Sequence, residues 1–80
     1  MIEVELRLYA TLRRYQPGLE PGEALVLTSV EGRTLRHLLE EMGLPPEEVK
    51  IAIVNGLVRG MDYLLADGDR VGLFPPIGGG

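Results

Sequence analysis

The chain has 80 residues, a formal net charge of −4, no cysteine and one histidine, His37. A chain of this length is one domain that buries only about 60% of its unfolded surface, so a large internal active site is disfavoured. The lack of thiols excludes a disulfide framework, a thiolate metal site and a cysteine nucleophile. The lone histidine argues against a histidine triad or a metal cluster, and the acidic balance disfavours nucleic acid and suits a basic protein partner.

Ile2, Val4, Leu6 and Leu8 alternate with Glu3, Glu5, Arg7 and Tyr9. Period two with one polar face predicts a strand of a half-exposed sheet over residues 2–9. Pro17-Gly18 and Pro21-Gly22 mark a loop, and residues 24–30 read as the return strand of a hairpin. Thr34 is placed as a helix N-cap, with Leu35, Leu38, Leu39 and Met42 following at i, i+3, i+4, i+7 and Gly43 as the stop. Arg33 and Arg36 at the start, with Glu40 and Glu41 at the end, oppose the helix dipole. His37 stands where a capping box wants Glu or Gln, so this helix is expected to depend on tertiary packing.

Pro46 begins a single helical turn, and Ile51 to Val54 is a short apolar strand. Asn55-Gly56 signals a hairpin into Leu57-Val58, Asp67-Gly68-Asp69 is another turn, and residues 70–74 form the last strand. A hairpin, a helix across one face, and a final strand inserted parallel to the first make an α+β β-grasp (ubiquitin-like) fold. It is a mixed sheet of about five strands with one main helix. The expected division is a β-grasp domain at 1–74 and a C-terminal tail at 75–80, ending in Gly-Gly.

Gly78, Gly79 and Gly80 have no side chain with which to pack, pair or titrate. They offer a carboxylate on a slim, extendable stalk, which threads a channel too narrow for any Cβ. Terminal glycines also mark an ordinary loose end. Phe74 is either an exposed docking anchor beside the tail or a cap on the core. Pro75-Pro76 ends the ladder and stiffens the stalk. Arg7, Arg13 and Arg14 read as solvated charges, and His37 as an ordinary exposed residue. Asn55-Gly56 reads as turn chemistry alone, and Asp67 and Asp69 as a turn without the remaining ligands of a calcium loop.

In this order and spacing, several motifs resemble the MoaD/ThiS family of ubiquitin-like sulfur-carrier proteins. They are Ala10-Thr11-Leu12-Arg13, the Thr34-to-Gly43 helix, Val54-Asn55-Gly56, Asp67-Gly68-Asp69 before Val71, and Phe74-Pro75-Pro76 ending in Gly79-Gly80. The Phe-Pro-Pro element is closest to the small subunit of molybdopterin synthase; Gly78 ahead of the terminal pair is a departure. The resemblance implies a carrier and cosubstrate, not an enzyme. A ubiquitin-activating-type adenylating enzyme would join the Gly80 carboxylate to AMP and a thiocarboxylate would form there. Its sulfur would pass to an acceptor, most simply the large subunit of molybdopterin synthase in molybdenum cofactor biosynthesis. Gly78 and Gly79 would form the tail, and Phe74, Pro75, Pro76 and Ile77 would meet the partner. No cofactor or metal would be bound, and ATP would be used by the adenylating partner. Neither nucleic acid nor membrane would be a partner. Three alternatives stay open: a carrier for thiamine thiazole synthesis or tRNA thiolation, a modifier conjugated through Gly80, and a passive β-grasp binding module. With no apolar run of membrane length and no signal peptide ahead of the first strand, the expected location is cytoplasmic.

Overall fold

The computed structural model describes residues 1–20, 22–29 and 31–76. The alternation at its start folds as read: Ile2–Leu8 is β1, with Ile2, Val4, Leu6 and Leu8 buried. The strand stops one residue short of Tyr9 because Ala10 adopts a left-handed conformation (φ 53). The chain then winds through a 3-10 segment, Ala10–Tyr15, whose Leu12 plugs the core. Leu25–Ser29 is β2, antiparallel to β1, with Leu25 opposite Leu6 and Ser29 opposite Ile2. It is shorter than expected at its start: beyond Leu25, the Arg7 guanidinium takes the Gly22 carbonyl at 3.2 Å in place of a ladder bond. Val30 lies outside the described residues.

Leu35–Met42 forms α1, with Leu35, Leu38 and Leu39 buried and Gly43 ending it in the left-handed region (φ 74). The reading of His37 needs correction. Its Nδ1 accepts from the Thr34 backbone N–H at 3.3 Å, while Thr34 Oγ1 accepts from the His37 N–H at 3.3 Å. A reciprocal capping box is therefore closed, because the imidazole reaches back as a glutamate would. The 3-10 turn Pro46–Glu48 follows, with Arg14 and Tyr15 both bound to the Glu48 carboxylate. Arg14 is thus an intramolecular partner; its pKa is held above the ordinary value, first by its hydrogen bond to Tyr15 and then by the Glu48 charge.

Ile51–Val54 is β3, Leu57–Arg59 is β4 and Arg70–Phe74 is β5. The sheet order is β2-β1-β5-β3-β4. β5 lies between β1, which it joins in parallel, and β3, which it joins antiparallel. This is the expected β-grasp. One cluster joins both sides of it: Val4, Leu6, Val71 and Leu73 of the sheet pack with Leu35, Leu38 and Leu39 of α1, closed by Leu12 and Leu44. Each such side chain contributes about 1.5–3 kcal/mol by leaving water.

The two turns near the carboxyl end are tied together more firmly than turn chemistry alone requires. Asn55 and Gly56 both have positive φ (52 and 84), as the hairpin signal demands. The Asn55 side chain also donates to Asp69 at 2.8 Å and accepts from the Arg70 N–H at 2.9 Å. Asp69 is 4% exposed and accepts further hydrogen bonds from the Tyr63 hydroxyl (3.0 Å) and the Ala66 N–H (2.8 Å). Asp67 is exposed and receives the Glu3 N–H at 2.8 Å. Both carboxylates hold turns, as expected, but Asp69 also joins the β3–β4 hairpin to the start of β5.

Replacing Asp69 by Ala strands three donors and is expected to lower unfolding stability by about 2–4 kcal/mol; Asp67→Ala is expected to lower it by about 0.5–1.5 kcal/mol. Urea titrations of the two variants measure the contrast.

Partial burial, then the hydrogen bond to Asp69, raises the Tyr63 phenol above its ordinary pKa. The folded chain therefore holds this proton more tightly than the unfolded one. The stabilisation is complete below the ordinary tyrosine pKa and is lost as pH rises through the folded value. An ultraviolet phenolate titration, differenced against Tyr63→Phe, is expected to show the shift, and Asp69→Asn to reduce it.

Candidate functional site

The site lies where β5 ends. Alternation along β5 sends Val71 and Leu73 into the core, so Arg70, Gly72 and Phe74 belong to the other face of the sheet. Phe74 is therefore no core cap. It is half-buried on the outer face, opposite Ile51 of β3. The parallel register pairs Leu8 with Leu73, and the Tyr9 N–H donates to the Leu73 carbonyl at 3.1 Å. That brings Tyr9 beside Phe74: the rings stack with centroids 4.4 Å apart and planes 2° from parallel.

Gly72 gives the stack room to lie close to the strand. A Cβ at this position would stand 3.3 Å from Tyr9 Cε2 and 3.7 Å from Phe74 Cε1. The bare α-carbon is where the Tyr9 ring crosses β5. An isolated glycine inside a strand often marks such a close approach, and this was the available sequence signal. Tyr9 was legible as an outer-face residue; its partner was not, because the β1–β5 register is not written in either strand.

The Lys50 N–H donates to the Phe74 carbonyl at 2.8 Å, the last bond of the ladder. Pro75 and Pro76 follow, and neither has an N–H with which to continue it. Ala10, Thr11, Lys50, Ile51, Phe74, Pro75 and Pro76 together line an open groove of about 880 Å³. The left-handed turn at Ala10 forms one wall, a conformation that costs a non-glycine residue about 1–2 kcal/mol. Three of the four residues expected to meet a partner, Phe74, Pro75 and Pro76, thus line one groove; Ala10, Thr11, Lys50 and Ile51 join them, with Tyr9 and Gly72 against Phe74. Ile77, Gly78, Gly79 and Gly80, the remaining site residues of the sequence reading, lie outside the described residues. Among the described residues there is no group of three or more His, Asp or Glu side chains able to hold a metal, and no helix long and apolar enough to cross a membrane.

The fold defines a ubiquitin-like β-grasp protein of the MoaD/ThiS type. Residues 1–78 match the family model described as Mut7-C ubiquitin, and the chain belongs to that family. Solved structures agree. A Pyrococcus furiosus protein described as molybdopterin converting factor subunit 1 is 25% identical with a TM-score of 0.73, over 96% of this chain and 100% of that one. The Haloferax volcanii protein HVO 2177 is 26% identical with a TM-score of 0.76, over 99% and 87%. SAMP1 of Haloferax volcanii, at 21% identity and a TM-score of 0.71 over 98% and 99%, shares the fold. No curated protein sequence matches.

Gly72→Val is expected to displace the Tyr9 ring while keeping the sheet, since valine suits a strand. Nuclear Overhauser contacts between Tyr9 and Phe74 should vanish, with a stability loss of about 0.5–1.5 kcal/mol, the worth of an aromatic pair.

Proposed function

We propose that this chain is a sulfur carrier whose Gly80 carboxylate is the group that reacts. The observation that carries the reading is the order of parts at the end of β5. A last ladder bond at Phe74 and two prolines lead, in sequence, to Ile77-Gly78-Gly79-Gly80. Membership of a ubiquitin family and likeness to a molybdopterin converting factor subunit support it.

A carboxylate is a poor electrophile because it is negatively charged and resonance-stabilised. Its oxygen would attack the α-phosphorus of ATP on a ubiquitin-activating-type enzyme, releasing pyrophosphate and leaving an acyl-adenylate. A persulfide sulfur would then displace AMP, giving an acyl disulfide. Attack by a second thiol on the sulfur that the persulfide carrier retains would form a new disulfide and release the Gly80 thiocarboxylate. The carrier is a cosubstrate here, and the covalent work is divided among proteins. It binds no cofactor itself; ATP belongs to the activating partner. Gly78, Gly79 and Gly80 serve because a stalk without Cβ atoms admits close approach at the reacting carbonyl. The domain at 1–74 is the handle, residues 75–80 are the arm, and the cytoplasm, with its ATP, is the place of work. The acceptor that best suits the Phe74-Pro75-Pro76 element is the pterin precursor on a molybdopterin synthase large subunit.

Intact-mass measurement of the protein isolated from its host tests this. The expected result is a species in which one oxygen is replaced by sulfur, absent when one residue is added after Gly80 although the fold is kept. Higher-mass conjugates to lysines would instead establish a modifier. An unaltered terminus in the presence of ATP, activating enzyme and sulfur donor would overturn the carrier reading.

A further inference from the structure

The groove at the end of β5 has one charged residue in its lining, and it is a cation. Lys50 is the chain's one lysine. It is exposed, and the ion pairs among the described residues, Arg14–Glu48 and Arg70–Glu5, leave it without a carboxylate. The rest of the lining is apolar save for Thr11. An exposed lysine in the lining of an otherwise apolar groove, with no ion pair among the described residues, is a local reversal of sign in a molecule of net charge −4. On the same face the exposed Val58 of β4, opposite Ile53 of β3, extends the apolar surface beyond Ile51.

We propose that this groove receives a partner protein's apolar side chain carried next to a carboxylate, the ring or aliphatic group lying against Phe74, Ile51 and Pro75 and the carboxylate pairing with Lys50. Charge complementarity selects this occupant: a purely apolar segment leaves the ammonium unanswered, and a basic one repels it. Tyr9 holds Phe74 in place from behind, so the floor is formed before the partner arrives. The inference deepens the carrier reading by naming the chemistry of the docking surface, yet it can be read without any sulfur transfer.

The test is a nuclear magnetic resonance titration of the full chain with 3-phenylpropionate, against 3-phenylpropanol, which lacks the charge, and propionate, which lacks the ring. The expected result is that 3-phenylpropionate binds tightest, with shifts confined to Ala10, Thr11, Lys50, Ile51 and Phe74. Lys50→Met should weaken it about fivefold, as an exposed ion pair allows, and Lys50→Arg should retain it. Raising salt should weaken the wild type and leave Lys50→Met unmoved. The proposal is overturned if the alcohol or propionate binds as well as the aryl acid. It is overturned if the shifts map elsewhere, or if binding occurs only after removal of Ile77–Gly80, which would show the chain's own tail in the groove. A terminus that never takes up sulfur would sink the carrier reading and leave this titration untouched.

Discussion

The molecule is organised by the seat of β5 between β1 and β3. A strand with partners on both sides cannot slip by one residue without turning Val71 and Leu73 out of the core and breaking two ladders at once. That constraint fixes more than the fold. Because Leu73 points inward, Phe74 must point outward, and because Leu8 pairs with Leu73, Tyr9 must arrive beside it. The aromatic stack, the groove and the point at which the chain leaves the sheet are consequences of one register.

The remainder of the structure secures that register. The Leu35, Leu38 and Leu39 stripe of α1 closes over β1 and β5, and Leu12 seals the end from which Tyr9 emerges. At the other end, Asp69 gathers Asn55, Tyr63 and Ala66, while Asn55 holds the N–H of Arg70, the first residue of β5. A buried carboxylate without donors would be destabilising; with three it fixes the hairpin relative to the strand. The start of β5 is thus set by polar bonds and its length by apolar burial.

The strands and the helix were legible because each follows a short-range rule. Ile2 to Leu8 alternate, the α1 leucines recur at helical spacing, and Asn55-Gly56 has the φ values that a hairpin needs. What escaped depends on atoms far apart in sequence. Asp69 looked like half of a turn because the residues that surround it, Asn55 and Tyr63, are joined to it only by folding. Tyr9 and Phe74 are 65 positions apart in the numbering and meet only through a parallel pairing. His37 was misjudged for another reason: its capping bond is local, but the residue preference for that position omits imidazole. Ala10 gave no signal at all, since nothing in its type announces a left-handed conformation.

The same architecture separates two kinds of change. A core substitution at Leu39 or Leu73 acts on the fraction folded, and a domain this small has only about 5–15 kcal/mol to lose. A change at Ile51 or Phe74 falls on the outer face, outside that cluster, and leaves the core packing in place. Pro75 and Pro76 draw the line between the two, because a residue without an N–H cannot pass the ladder onward. Variation in the core therefore alters how much folded protein is present, whereas variation on the outer face leaves that amount largely unchanged, and the two can evolve independently on one small sheet.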